Sequence, residues 1–169
     1  MAAGGGSGRT VVVGLLPEQP LWVVQVAAEY ALAFDASLVC VTVDPSRAVF
    51  QELPDGTLLS APIDPEVLAA DPPAFDGERL AAIGAVLDPV GVPWSVRELV
   101  GIAAEGLREA AEEVDALMIV VGARPGGLRS ALRSMVAGSV AARLAHRQYR
   151  PVVVVPTAPD TADAALEEG

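Results

Sequence analysis

Lysine is absent: every one of the eleven basic residues is arginine, set against twenty-two Asp and Glu, for a formal net charge of −11. The missing lysine reads as a coding bias first and as chemistry second. A chain of this sign is repelled by a polyphosphate backbone, which excludes a nucleic-acid surface. Cysteine is confined to Cys40 inside an apolar run. That excludes a disulfide framework and a Cys-rich metal site, and leaves an inert buried thiol. Histidine is confined to His146, near the end of the last helical segment, where it suits capping carbonyls better than abstracting protons. No nucleophile with a plausible base and no Gly-Lys-Ser/Thr phosphate loop is present. Aromatics make up only 4% of the chain, too few to favour a flavin carrier. Finally, no apolar run approaches the ~20 residues of a membrane helix, and Met1–Thr10 lacks a signal-peptide core. The expected location is cytoplasmic, with no membrane partner.

What is present fits one α/β domain. The chain has 169 residues, 52% of them hydrophobic, enough to bury a sizeable core. Residues 1–9 read as a disordered Gly/Ser-rich tail and 158–169 as an acidic one. Between them, Thr10-Val11-Val12-Val13-Gly14 predicts a first strand, and 21–34 a helix with apolar residues at 21, 24, 28, 31 and 32. Leu38 to Val43 predicts a second strand. The Pro- and Asp-rich residues 44–75 form an insert too long for a plain connection, with a β-hairpin expected over about 48–60 around Pro54-Asp55-Gly56. A second helix is predicted over 78–90, with Leu80, Ala82, Ile83 and Leu87 inward. Pro93 to Val100 predicts a third strand, at an edge because Pro93 cannot donate to a ladder. A third helix spans 101–113, with Ile102, Leu107, Ala110 and Val114 inward. Trp22 and Trp94 read as packing residues near solvent.

The chain is organised around 116–156. An apolar run, Ala116 to Val121, predicts a strand buried on both faces. The glycine-rich turn Gly122-Ala123-Arg124-Pro125-Gly126-Gly127 follows, then a helical segment and the last strand, Pro151 to Pro156. Loops leaving the carboxyl end of a parallel strand collect ligands, because helix amino-termini and free N–H groups point there. Residues 122–150 hold six arginines (124, 129, 133, 143, 147, 150) and no carboxylate, so this stretch carries +6 and the remainder −17. Two readings stand: an anion site, or a solvated face whose arginines pair with carboxylates elsewhere.

The element order, with Val114-Asp115-Ala116 leading into Ile119-Val120-Val121-Gly122, then Gly-Gly-Leu-Arg, Gly138-Ser139-Val140-Ala141 and Arg150-Pro151, resembles the universal stress protein family. The resemblance implies a Rossmann-like or flavodoxin-like three-layer α/β fold with a five-stranded parallel sheet, over 10–157. It implies a homodimer through the last strand, Pro151, Val152, Val153, Val154 and Val155. For nucleotide-binding members it implies contacts from Val43, Val121, Gly122, Arg124, Gly126, Gly127, Arg129, Arg133, Gly138, Ser139 and Val140, with ATP, ADP or AMP as ligand. No metal is needed for the fold, no catalytic residue is assigned, and the chain reads as a binding module rather than an enzyme.

The family's Gly-x2-Gly-x9-Gly-[Ser/Thr] pattern is stretched here by three residues between Gly122 and Gly138, and Pro125 stands where the second glycine would fall. Gly14-Leu15-Leu16-Pro17 also replaces the acidic residue that binding members carry after the first strand. Losing a charged acceptor there costs on the order of 2 kcal/mol, roughly thirty-fold in affinity. Arg129 and Arg133, four apart, share a face if 128–134 is helical, and offer guanidinium forks to a phosphate or other small anion in exchange. The alternative is the family's other branch, a dimeric module that binds no nucleotide and acts through protein contacts.

Overall fold

The structure, a computed structural model, describes residues 8–16, 19–44, 47–52, 58–62, 75–123 and 140–157. Its elements in chain order are β1 (Thr10–Gly14), α1 (Trp22–Ala33), β2 (Ser37–Asp44), β3 (Arg47–Glu52), β4 (Leu58–Pro62), α2 (Gly77–Leu87), a 3₁₀ turn (Asp88–Val90), β5 (Trp94–Val100), α3 (Ala103–Glu113), β6 (Met118–Ala123), α4 (Val140–Arg147) and β7 (Val152–Pro156). Five strands pair in the order β5-β2-β1-β6-β7, every pairing parallel. This is the expected three-layer α/β fold.

β1 sits at the centre, which explains its composition. Val13 lies beside Cys40 on one neighbour and Val120 on the other. A strand covered on both faces needs a continuous apolar run rather than alternation. Val11, Val13, Leu38, Cys40, Met118 and Val120 point to one face, under α1 and α2. Val12, Val39, Val41, Ile119 and Val121 point to the other, under α3 and α4. Successive residues thus feed opposite cores. Small residues on α1 (Ala27, Ala28, Ala31) and α3 (Ala104, Ala110, Ala111) let these helices approach the sheet closely, and all six are buried.

Two helices end in the same way. Asp35 after α1 and Asp115 after α3 have positive φ, 51° and 45°, a region that Asp tolerates better than branched residues do. The next residue then turns its N–H back into the helix, Ala36 to Ala31 O and Ala116 to Ala111 O, each at 2.8 Å. Asp76 opens α2 by accepting a hydrogen bond from the Arg79 N–H at 2.7 Å.

β3 and β4 pair antiparallel, Ala48 opposite Ala61, with a register shift between Val49 and Gln51. The predicted hairpin is therefore present, while its turn at 53–57 lies outside the described residues. So do both predicted tails apart from residues 8 and 9, and the segment 128–134. β5 is an edge strand, as Pro93 implies. One inward assignment fails. Ile102 is 57% exposed because α3 begins after it; its backbone is extended at φ −82°, ψ 119°, so it falls off the helix period. Leu32, near the end of α1, is exposed as well, and Val23 and Ala27 take the inner positions.

Candidate functional site

The strand order reverses at β1. From β1 the chain runs through α1 to β2 on one side, and β6, on the other side of β1, leads on through α4 to β7. The connections leaving β1 and β6 go to opposite faces, because α1 covers one and α4 the other. A crevice opens outside the carboxyl ends of two such strands, and in open α/β sheets this is where ligands bind.

On the β1 side the walls are Gly14, Leu15, Leu16 and Gln19. Gly14 is opposite both Val41 and Val121. A Cβ there would meet Leu107 Cδ1 at 2.8 Å and Val121 Cγ1 at 3.4 Å, so its glycine is set by α3 packing against the sheet. The Leu15 N–H donates to Val41 O at 2.8 Å, carrying the strand geometry one residue further. Gln19 then folds back: its Oε1 accepts from the Leu16 N–H at 3.0 Å. The side chain is almost wholly enclosed, with 7% of the residue exposed, and its Nε2 has no hydrogen-bond partner. Arg79, reaching over from the first turn of α2, donates through Nη2 to Gln19 O at 2.7 Å and to Leu16 O at 3.4 Å. It closes the turn from outside. Partial burial lowers the Arg79 pKa, and Asp76 opposes that shift.

On the β6 side the walls are Val121, Gly122 and Ala123. A Cβ on Gly122 would land on Gln19 Nε2, and would also come to 2.9 Å from Gln19 Cδ and from Thr157 Cγ2. Thr157, just past β7, donates its hydroxyl to Ala123 O. The absent side chain at Gly122 therefore makes room for two of the protein's own side chains.

The predicted binding residues distribute as follows. Val121 and Gly122 lie at the crevice. Val43 lies near the end of β2, one strand away, buried beneath α3, where a Cβ on Gly106 would approach its Cγ2 to 3.0 Å. Val140 opens α4 and is exposed. Arg124, Gly126, Gly127, Arg129, Arg133, Gly138 and Ser139 lie outside the described residues. Of the clustered arginines among the described residues, Arg147 and Arg150 are paired within the protein. Arg147 Nη1 reaches Glu105 Oε1 at 2.6 Å. Arg150 holds Asp115 Oδ1 at 3.1 Å and donates through Nε to Ala116 O at 2.8 Å. For these two the reading as a paired face holds. Glu105 also takes a hydrogen bond from Arg108, which with Arg147 keeps its carboxyl below the usual range. Of the strand residues predicted to pair two copies, Pro151 and Val154 are exposed, Val152 and Val153 half-buried, and Val155 buried in this chain's own core. Gln19, Arg79 and Thr157 were not expected from the sequence. The available signal was a glutamine between Pro17 and Pro20 in an otherwise apolar connection.

Cys40 is sealed under α1, and burial pushes its thiol up to about 12. His146 is exposed in the last turn of α4. Among the described residues no group of His, Cys, Asp and Glu could hold a metal, and no helix is long and apolar enough to cross a membrane.

Layers and strand order together define a doubly wound α/β domain with its switch point between β1 and β6. The profile of the universal stress protein family matches residues 8–156, and the chain belongs to that family. Among solved structures it is similar, at 26% identity and a TM-score of 0.61, to a universal stress protein in complex with cAMP, over 89% of this chain and 98% of that one. A universal stress family protein from Burkholderia pseudomallei is 27% identical, with a TM-score of 0.56 and the same two coverages. A universal stress protein from Archaeoglobus fulgidus in complex with dAMP shares the fold at 21% identity and a TM-score of 0.52, over 87% of this chain and 97% of that one. No curated protein matches the chain.

Proposed function

We propose that this protein is a nucleotide-responsive stress or signalling module that binds an adenine nucleotide in the crevice between the carboxyl ends of β1 and β6. The observation that carries the reading is the reversal of strand order at β1, the position at which open α/β sheets bind their ligands. Similarity at 26% identity to a universal stress protein in complex with cAMP supports an adenine nucleotide as the occupant. The phosphates are assigned to the stretch after β6, through Gly122, Arg124, Gly126, Gly127, Arg129, Arg133 and the Gly138-Ser139-Val140 helix start, because it carries cations and no carboxylate. Val43 and Val121 complete the set of residues assigned to the nucleotide. The protein acts by binding rather than turnover, in the cytoplasm, as a homodimer paired along the free edge of β7. ATP, ADP and AMP are the candidates alongside cAMP.

Calorimetry with these four nucleotides tests the reading. Micromolar binding that Arg129→Glu and Gly138→Val abolish, with the dimer intact by light scattering, is the expected result. Absence of heat at millimolar concentration overturns it. A second reading, the dimeric module that binds no nucleotide, is favoured by one observation: the protein's own Gln19 and Thr157 occupy the space beside Gly122.

A further inference from the structure

We infer that the Gln19 amide is the donor that recognises the nucleoside part of the bound nucleotide, an assignment that rests on the nucleotide reading above. Gln19 is 93% buried by its 7% exposure, and its Nε2 is the one buried side-chain nitrogen or oxygen among the described residues that lacks a hydrogen-bond partner. Such a group is costly and is retained where something else supplies its partner. The amide cannot satisfy itself by flipping, because Oε1 is held by the Leu16 N–H at 3.0 Å. Nor is the turn free to drift, since Arg79 Nη2 grips the Gln19 carbonyl at 2.7 Å. The side chain thus holds two buried N–H donors with no acceptor, packed against Gly122 between the ends of β1 and β6.

The identity of the acceptor follows from chemistry. A neutral amide discriminates by geometry rather than charge, so it suits a ring nitrogen, a carbonyl or a ribose oxygen better than a phosphate, which gains more from guanidinium groups. The clustered arginines follow β6 in the sequence, whereas the β1 connection, Leu15 to Pro20, contains Glu18 and no cation of its own, and Arg79, which reaches it, is engaged by the Gln19 and Leu16 carbonyls. The phosphates therefore lie on the β6 side and the nucleoside on the β1 side. Gly122 is what lets the two meet, because any side chain there would strike the Gln19 amide.

Two variants separate recognition from packing. Gln19→Glu keeps the oxygen that accepts from Leu16 and removes the donor; Gln19→Met is uncharged and removes both. Calorimetry with ATP is expected to show each variant about tenfold weaker than wild type, the scale of one neutral hydrogen bond. The Tm of ligand-free Gln19→Met is expected to match or exceed that of wild type, because an orphaned donor has gone. Affinity unchanged in both variants overturns the inference and leaves the nucleotide reading standing; so does a loss of affinity that only parallels a loss of ligand-free Tm. If wild type itself binds no ATP, both readings fall together. Should neither variant fold, the Gln19 side-chain ¹⁵N–¹H resonances of wild type decide: saturating ATP is expected to shift them, and unshifted resonances overturn the inference.

Discussion

Gly122→Ala separates two explanations of one glycine. If Gly122 is small only so that a phosphate can approach, an added methyl leaves the ligand-free protein untouched. The structure gives a different expectation. The new Cβ would coincide with Gln19 Nε2 and crowd Gln19 Cδ and Thr157 Cγ2 at 2.9 Å, closer than real Cβ atoms approach. Gln19 must then swing away, and the Leu16 N–H loses its acceptor. Overpacking of this kind costs about 1–3 kcal/mol, and the lost hydrogen bond about 1 kcal/mol more. Against this, alanine restricts the unfolded chain and returns roughly 0.4–1 kcal/mol, since Gly122 does not have positive φ. The net is a loss of about 1–3 kcal/mol, or a Tm lower by roughly 2–10 °C for a domain of this size. Scanning calorimetry of ligand-free protein measures it. A Gln19→Ala background should absorb part of the penalty, leaving the Thr157 contact, so the two substitutions are non-additive. An unchanged or raised Tm for Gly122→Ala, or strict additivity with Gln19→Ala, refutes the reasoning.

Three further outcomes follow from the same contacts. Asp76→Ala removes the side-chain cap of α2 and should cost about 1 kcal/mol in urea unfolding, with the m-value unchanged. Cys40 should resist a thiol reagent at pH 8 until the protein is denatured. Because its pKa rises from 9.0 to about 12 on folding, stability should be intact below pH 9 and fall between there and 12, and Cys40→Ala should flatten that decline. Glu105 has a depressed pKa in the fold, so its contribution is present above the ordinary glutamate range and lost as pH falls through the lower folded value; Arg108→Met should move its carboxyl titration upward by NMR.

The layers of this fold were legible because burial on both faces leaves a strong mark. A strand that must feed two cores has no polar position to spare, and Val11-Val12-Val13 and Met118-Ile119-Val120-Val121 show it. Pro93 marked the edge through a missing donor, and the insert's turn residues marked the hairpin. Periodicity failed where a helix began later than its apolar pattern. Ile102 fits the inward face of a helix starting at residue 101, but α3 starts at Ala103, and a residue in extended conformation does not share the helical face. Leu32 fits the apolar spacing of α1 and is nonetheless exposed.

The switch point was legible in place, while the contacts around it were not, for a physical reason. Its position depends on strand order, which element order and patterning constrain strongly. Its lining depends on contacts between residues far apart in the chain, such as Gln19 with Gly122 and Arg79 with the β1 turn, and neither member of such a pair announces the other. A glycine after a strand permits a ligand, a close-packed neighbour, or both. Here the neighbour is a glutamine whose carbonyl end is tied down and whose amide end is left open, an arrangement that packing alone would not reward, because a methionine of similar length would fill the space without burying a donor. If the proposed nucleotide site is right, the cost borne at Gln19 links the geometry of Gly122 to binding, and a protein from which it was removed should be a sturdier fold with a poorer site.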